Sequence, residues 1–309
     1  MTVGRRSRVS EPRWVPGDGG LPVGSLTGGL LDRLRRRGGH ATVTDHRGRG
    51  TDAVTFAGTV ERAAAGLSRR GMCPDDVVGV LAPVSRERLT AVYTVLAVGG
   101  VALPLELTSD LETLISLLTT VDVRMILVTA PLAGIALELA ERSRVRQVIA
   151  FGQAPETTPF GELLLPSPDG SGYDPARGLF DNGVMTYESG SGDVFTTLHT
   201  HADLLARFRR MSDELEPAAD DTVAVDAGMS EPDRAALAAA ALWHGASVVT
   251  APGETEADTR RDLAAFHITM HRASRRGAGG GWTEEAGATE ERGSARRRGK
   301  PPPQGRPAG

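Results

Sequence analysis

Lysine, cysteine and long apolar runs are almost absent from this 309-residue chain. Lys300 is the only lysine, so a mechanism that needs a lysine ammonium on a phosphate or carboxylate has no residue for it before the Pro/Gly/Arg-rich end. Cys73 is the only cysteine, which excludes an intramolecular disulfide and a four-cysteine zinc site. No stretch has the length and apolarity of a membrane span or a signal peptide. These absences predict a cytoplasmic location.

The overall charge gives no reason to expect nucleic acid as a partner. The net charge is -4 and the isoelectric point is near 6.0, so positive charge is local and does not cover a whole domain. Residues 292–300 form one basic run that could contact a polyanion. We interpret this run as a solvated tail and predict no specific nucleic-acid binding.

Apolar runs of strand length alternate with amphipathic segments of helix length between residues 26 and 270. For example, a helical pattern ends at Gly71, an apolar run covers Val77 to Leu81, and a second helical pattern begins after Ser85. This alternation is typical of repeated β-α units that form mostly parallel sheets covered by helices. The sequence therefore predicts an α/β fold.

Composition divides the chain into four segments. Residues 1–22 and 271–309 are predicted to be disordered, because the first is rich in Gly, Pro and Arg and the second has no Leu, Ile, Val, Phe or Tyr. Residues 23–180 are interpreted as a first α/β subdomain and residues 181–270 as part of a second. The final segment is either a natural basic tail or the product of a shifted reading frame in G/C-rich DNA, and we favour the frame shift.

A turn of small residues is the main candidate for a binding site. The pattern places it between a strand and a helix that starts at His201, where glycine amides, serine hydroxyls and the helix N-terminus favour phosphate. A plain loop is the alternative, since such turns are common. The candidate phosphate-binding residues are Ser189, Gly190, Ser191 and Gly192.

Other groups of reactive residues carry weaker signals. His199 and His201 form a His-x-His pair, which we interpret as solvated and not as a metal site. Asp220, Asp221 and Asp226 flank an apolar run and are interpreted as turn and capping residues. No metal site is predicted from these residues.

The turn and its surroundings resemble the superfamily of AMP-forming acyl-CoA synthetases and adenylation domains. Residues 187–192, Tyr-Glu-Ser-Gly-Ser-Gly, resemble the start of that family's phosphate loop, and Thr200, His201 and Leu204 resemble the start of the helix that follows it. Two further stretches are similar to the family. Upstream lies Gly-Gly-Val-Ala-Leu-Pro, which ends at Pro104, and downstream lies Leu-Trp-His-Gly-Ala-Ser-Val-Val, which ends at Val249. The resemblance covers nearly all of residues 23–270.

The resemblance implies the N-terminal portion of the adenylate-forming ligase fold and a reaction that uses ATP and Mg. A carboxylic acid would become an acyl-adenylate and then be transferred to CoA or a carrier thiol. However, Phe195 stands where the family has its loop lysine, and Glu188 replaces a threonine beside the supposed phosphate site. A carboxylate there would repel the nucleotide.

The family's later motifs would all lie beyond Met270, and residues 271–309 resemble none of them. The resemblance therefore implies a truncated or degenerate AMP-dependent ligase that is inactive alone. Two alternatives stay open: a non-catalytic module that binds a nucleotide or a protein, and one half of a split ligase. In the split ligase, a complementing protein chain would supply the missing part.

Overall fold

The computed structural model of the chain describes residues 25–167, 172–174, 183–190, 193–253 and 255–271. The predicted disordered segment 1–22 lies outside the described residues. So does the predicted tail 271–309, apart from its first residue.

Eight α-helices occur in the described part, and most begin at a side chain that caps the helix. Ser85 Oγ accepts a hydrogen bond from the Arg88 N–H, and Asp110 accepts one from Thr113. The third helix ends at Gly99, whose left-handed φ of 87° suits glycine. The helices are α1 Leu26–Arg37, α2 Ala53–Arg69, α3 Arg86–Val98, α4 Leu111–Thr120, α5 Ala133–Glu141, α6 His201–Leu215, α7 Glu231–His244 and α8 Glu256–Leu263.

The strands of the described part form two sheets. Their bounds are β1 Thr42–Asp45, β2 Gly50–Asp52, β3 Val77–Leu81, β4 Val101–Pro104, β5 Met125–Thr129, β6 Gln147–Phe151, β7 Thr158–Pro159, β8 Gly183–Gly190, β9 Asp193–Thr200, β10 Thr222–Asp226, β11 Ser247–Ala251 and β12 Met270–His271. One sheet has seven strands in the order β7-β6-β5-β3-β4-β8-β9, and the other has five in the order β12-β10-β11-β1-β2. All neighbours pair in parallel except β8 with β9 and β1 with β2.

The two sheets share a layer of helices. One large apolar core joins Val80 and Leu127 of the seven-stranded sheet, through α1, α2, α3, α6 and α7, to Val225 and Val248 of the five-stranded sheet. Helices α4 and α5 cover the opposite face of the seven-stranded sheet, and α8 covers the outer face of the five-stranded sheet. The molecule is therefore built in five alternating layers of helix and sheet.

The predicted α/β class with mostly parallel sheets is confirmed, but the predicted division of the chain at residue 180 does not separate the two sheets. Strands β1 and β2 from the first segment join the five-stranded sheet, and β8 and β9 from the second segment join the seven-stranded one. The reason is that strand pairing is decided by packing across the shared helical layer and not by order along the chain.

Residues 152–181, which are dense in Pro, Gly, Ser and Asp, contain regular structure in their described part. Strand β7 extends the seven-stranded sheet, and a 3-10 segment at Phe160–Leu164 packs on α2. Gly66 permits this close approach, since a Cβ there would lie 2.4 Å from the Leu163 carbonyl oxygen. In the part of the chain that the structure describes, no helix combines the length and apolarity that a bilayer crossing requires.

Candidate functional site

The candidate phosphate turn lies in a β-hairpin. Strands β8 and β9 pair in antiparallel register from Gly183 opposite Thr200 to Gly190 opposite Asp193. Ser189 and Gly190 are therefore the last residues of β8. Ser191 and Gly192, which connect the two strands, lie outside the described residues.

Strand β9 lies between the candidate turn and the helix that the sequence predicted after it. Helix α6 begins at His201, at the opposite end of the hairpin from residues 189–192. Its N-terminus is capped internally, because Thr200 and Asp203 exchange hydrogen bonds as a capping box. Eight residues of β9 separate the turn from the helix, so the positive end of the helix dipole does not reach the predicted phosphate site.

Tyr187 fixes one side of the hairpin to the loop that follows β4. Its hydroxyl oxygen accepts a hydrogen bond from the Glu106 N–H at 2.9 Å and lies 2.8 Å from Ser109 Oγ. Burial raises the pKa of the Tyr187 hydroxyl, although the bonds to Ser109 and Glu106 oppose this effect. Met185 and Val194 pack beside Tyr187 on the apolar cluster under α4. The side chains of β8 and β9 thus anchor the hairpin to the seven-stranded sheet.

Two histidines form hydrogen bonds at the hairpin base, which we define as residues 183–186 and 197–200. One bonds within the base and the other bonds to a neighbouring part of the chain. His199 Nε2 lies 3.1 Å from Thr186 Oγ1 across the strand pair, and burial lowers the pKa of its ring. His201 Nε2 accepts a hydrogen bond at 3.3 Å from the Leu26 N–H at the start of α1. Because the two rings bond to different elements, they do not form a common ligand pair.

The hairpin tip, residues 188–195, carries the departures from the family pattern. Glu188 pairs directly with Phe195 in the antiparallel register, both are exposed, and residue Phe195 is 65% accessible. The whole hairpin, residues 183–200, contains neither lysine nor arginine. The side chains of Glu188 and Phe195 therefore give a triphosphate a carboxylate and an apolar ring at positions where a cation would stabilise its charge.

A buried group of charged residues, missed in the sequence, lies where β3 and β10 end. Arg88 Nε donates to Glu231 Oε2 at 2.8 Å, and Arg234 Nη1 also bonds to that oxygen. The side chains of Arg88, Glu231 and Arg234, which we call the charge cluster, are 5%, 2% and 5% exposed. The sequence held one signal of this cluster. Charged residues occur in the first turns of two otherwise apolar helices, and a charged side chain that is buried there requires a partner of opposite charge.

The charge cluster connects the two sheets. Arg88 belongs to α3 and donates to the Ala82 carbonyl after β3, whereas Arg234 belongs to α7 and donates to the Asp226 carbonyl at the end of β10. Burial raises the pKa of Glu231, but the charges of Arg234 and Arg88 outweigh burial and hold that pKa below its usual value. Within the described residues, Glu231 Oε1 is buried without a hydrogen-bond partner.

The predicted turn roles of two aspartates are confirmed. Asp226 Oδ1 accepts a hydrogen bond from the Gly228 N–H at 2.8 Å, and Asp221 Oδ2 accepts one from the Ala218 N–H at 2.7 Å. These carboxylates close turns next to β10.

Three solved structures of ligases and synthetases share this fold. A protein from Rhodopseudomonas palustris described as a long-chain-fatty-acid CoA ligase aligns with a TM-score of 0.65 and 18% identity, over 80% of this chain and 62% of that one. A long-chain-fatty-acid-CoA ligase from Archaeoglobus fulgidus gives 0.65 and 15%, over 86% and 54%. The amide bond synthetase McbA from Marinactinospora thermotolerans gives 0.64 and 17%, over 78% and 48%.

At these identities the structural matches show the fold alone. The chain spans between 48% and 62% of the length of these three structures. A search of curated protein sequences found no match to the chain. Its sequence does match the family described as AMP-binding enzyme over residues 32–274, which is well over half of its length. The protein is therefore a member of the AMP-binding enzyme family, and its described residues form the N-terminal part of that family's fold.

Proposed function

We propose that this chain is a degenerate AMP-dependent acyl-CoA synthetase-like protein that does not form an acyl-adenylate by itself. The observation that carries the proposal is the pairing of Glu188 with the exposed Phe195 at the hairpin tip. The resemblance implies that family members have a phosphate-contacting lysine at the position of Phe195. At this place a carboxylate repels a triphosphate, and a phenyl ring offers it neither a positive charge nor a hydrogen bond.

Two further observations support the proposal. The α6 N-terminus lies at the far end of the hairpin and is occupied by its own capping box, so it supplies no compensating positive charge. The hairpin, residues 183–200, also contains neither lysine nor arginine. The resemblance implies that relatives use ATP and Mg to activate a carboxylic acid and then transfer it to CoA or a carrier thiol. We propose that this chain does not carry out these steps when it is alone. Its exposed single thiol, Cys73, supports a reducing cytoplasmic location.

The test is hydroxamate trapping of acyl-adenylates with the purified full chain, ATP and magnesium. The acid panel includes short, aromatic and long-chain carboxylic acids, because two structural relatives are described as long-chain-fatty-acid CoA ligases. We expect no hydroxamate above the reaction without enzyme. An intact ligase of the same family, assayed in parallel, controls for the assay. Turnover by the chain alone with any acid would refute the proposal.

A split ligase is the second candidate, and the five-stranded sheet supports it. Among the described residues, β12 pairs only with β10, so one side of Met270–His271 has no strand neighbour in that part of the chain. A free strand edge offers backbone donors and acceptors to an added strand. Hydroxamate formation that requires both this chain and a second, separately purified chain would establish this function in place of the first.

A further inference from the structure

An open cavity of about 720 Å³ lies between the two sheets, and we call it the intersheet cavity. It is lined by Asp45 at the end of β1, Thr129 at the end of β5, Phe151 at the end of β6, and Pro252 directly after β11. Ligands of open α/β proteins usually bind in such a crevice, outside the carboxyl ends of the strands. The position and the volume are those of a site for a small organic molecule.

The intersheet cavity is separate from the hairpin. None of its lining residues belongs to β8 or β9. In the seven-stranded sheet, β3 and β4 stand between the hairpin and the strands β5 and β6 that open into the cavity. The cavity is also separate from the charge cluster, whose residues do not line it. A ligand bound there would not depend on the chemistry of the hairpin tip.

One wall of the cavity is aromatic. Phe56 of α2 and Phe160 are buried, with 1% and 6% of their surfaces accessible, and their rings are held by the core. Phe151 stacks on Phe160 with 4.0 Å between ring centroids. A fixed apolar wall of this kind favours an apolar or aromatic group of a ligand, since burial removes both surfaces from water without ordering further side chains.

Among the described residues that line the cavity, one cation lacks a carboxylate partner. Arg49 is paired with the buried carboxylate of Asp45 at 2.8 Å, and Arg86 is paired with Glu87 at 3.0 Å. In the described residues Arg47 makes no ion pair, and its Nε donates to His46 Nε2 at 3.3 Å. The cavity therefore has an excess of positive charge at Arg47, on the β1–β2 turn.

We propose that the intersheet cavity binds an amphipathic organic anion, in which an apolar body lies on the Phe151–Phe160 wall and a single acidic headgroup pairs with Arg47. Carboxylate and phosphate monoester headgroups share the geometry that a guanidinium accepts with two parallel hydrogen bonds. Neither the family match nor the structural relatives assign a ligand to this cavity. The proposal stands whether or not the hairpin tip binds a nucleotide.

The experiment is calorimetric titration of the full chain with five probes of matched size or charge. Octanoate and octyl phosphate carry the proposed chemistry with different headgroups, octylamine reverses the charge, 1-octanol removes it, and inorganic phosphate removes the apolar body. We expect saturable one-to-one binding of octanoate, octyl phosphate or both, with at least about tenfold weaker binding of the other three. Equal binding of octylamine and octanoate, or no binding of either anion, overturns the proposal.

Variants locate the bound probe. Arg47→Gln should weaken binding of the anion about tenfold, whereas Arg146→Gln, at another exposed arginine outside the cavity, should leave it unchanged. Thr59→Phe places a ring in the cavity from α2 and should abolish binding. Because Arg47 is exposed, its substitution should leave the melting temperature unchanged and keep the test independent of folding. Equal affinities of the Arg47→Gln and Arg146→Gln variants would overturn the proposal.

Discussion

In the charge cluster, Glu231 is buried between two guanidinium groups, whereas at the hairpin tip Glu188 is exposed opposite the Phe195 ring. The first region lies between helices of the shared core, and the second lies at the end of an edge hairpin. The buried charges hold the two sheets together by pairing with each other. In the described part of the chain no ion pair is formed by Glu188, so the two glutamates differ in whether a cation balances their charge.

The largest expected effect comes from the substitution Glu231→Gln. It removes the carboxylate charge that pairs with buried Arg88 and Arg234, and we expect the free energy of unfolding to fall by about 3–5 kcal/mol. Denaturant unfolding followed by circular dichroism measures this change. Glu256→Gln is the matched control, because its pair with Arg260 is largely exposed and removing an exposed pair costs less than about 1 kcal/mol. Equal losses in the two variants would show that the charge cluster does not stabilise the fold.

The next effect concerns the tip and is measured by the affinity for ATP. The double substitution Glu188→Thr and Phe195→Lys removes the carboxylate and introduces a cation, and we expect the affinity to rise about tenfold, or about 1.4 kcal/mol. Hydroxamate formation should stay at background in the same variant. Phe195→Ala, which removes the ring without adding charge, is the control. An unchanged affinity in the double variant would mean that charge at the tip is not what limits nucleotide binding.

A smaller effect tests how the hairpin is anchored. Tyr187→Phe removes the acceptor for the Glu106 N–H and the contact with Ser109, and it should lower the free energy of unfolding by about 1 kcal/mol. Tyr173→Phe provides a matched comparison. The Tyr173 hydroxyl is buried without a hydrogen-bond partner among the described residues, so its removal should be neutral or stabilising. Thermal unfolding of both variants measures the two effects. A larger loss of stability in Tyr173→Phe than in Tyr187→Phe would contradict the proposed anchoring role of Tyr187.

The smallest effect is a dependence of stability on pH through His199. Burial first, and the charge of Arg207 second, lower the pKa of His199 below the usual histidine value of about 6.5. The unfolded chain therefore binds this proton more readily than the folded chain. As a result, stability is fully present above about pH 6.5 and falls as the pH drops toward the folded pKa. Because the ring is partly exposed, we expect a loss of roughly 0.5 kcal/mol or less.

The same pH series on two variants checks this assignment. His199→Gln should lose less stability than the native chain between about pH 7.5 and about pH 5.5, whereas His40→Gln, at an exposed position, should follow the native chain. A steeper loss in His199→Gln than in the native chain would contradict the assignment.

Helices with a capping side chain and a terminal glycine could be predicted from the sequence almost to the residue. Helix α3 begins after Ser85, as predicted, and ends at Gly99, and α6 begins at His201, also as predicted. These signals are local, since a cap and an amphipathic pattern act within one or two turns. The buried strands between them were predicted for a similar reason, because apolar runs of four or five residues identify strands of a parallel sheet.

Strands with little apolar content were missed. Strand β1 has a single apolar residue, Val43, and β2 has none. Strand β9 was interpreted as part of the phosphate turn, although Val194, Thr196 and Thr197 are β-branched and favour a strand. The charge cluster could not be predicted either. Its residues lie 143 positions apart in sequence, at Arg88 and Glu231, and only the packing of α3 against α7 brings them together.

The pairing of β1 with β11 has a consequence for synthesis on the ribosome. Thr42 donates its backbone N–H to the Ser247 hydroxyl, 205 positions later in the chain. At about 5–20 residues per second, β1 would wait roughly 10–40 s before its parallel neighbour β11 is made. During that time the seven-stranded sheet, whose strands have all been made by Thr200, can already assemble. The edge of β1 that faces β11 therefore stays without its partner strand until late in translation, with its backbone donors and acceptors open to other chains.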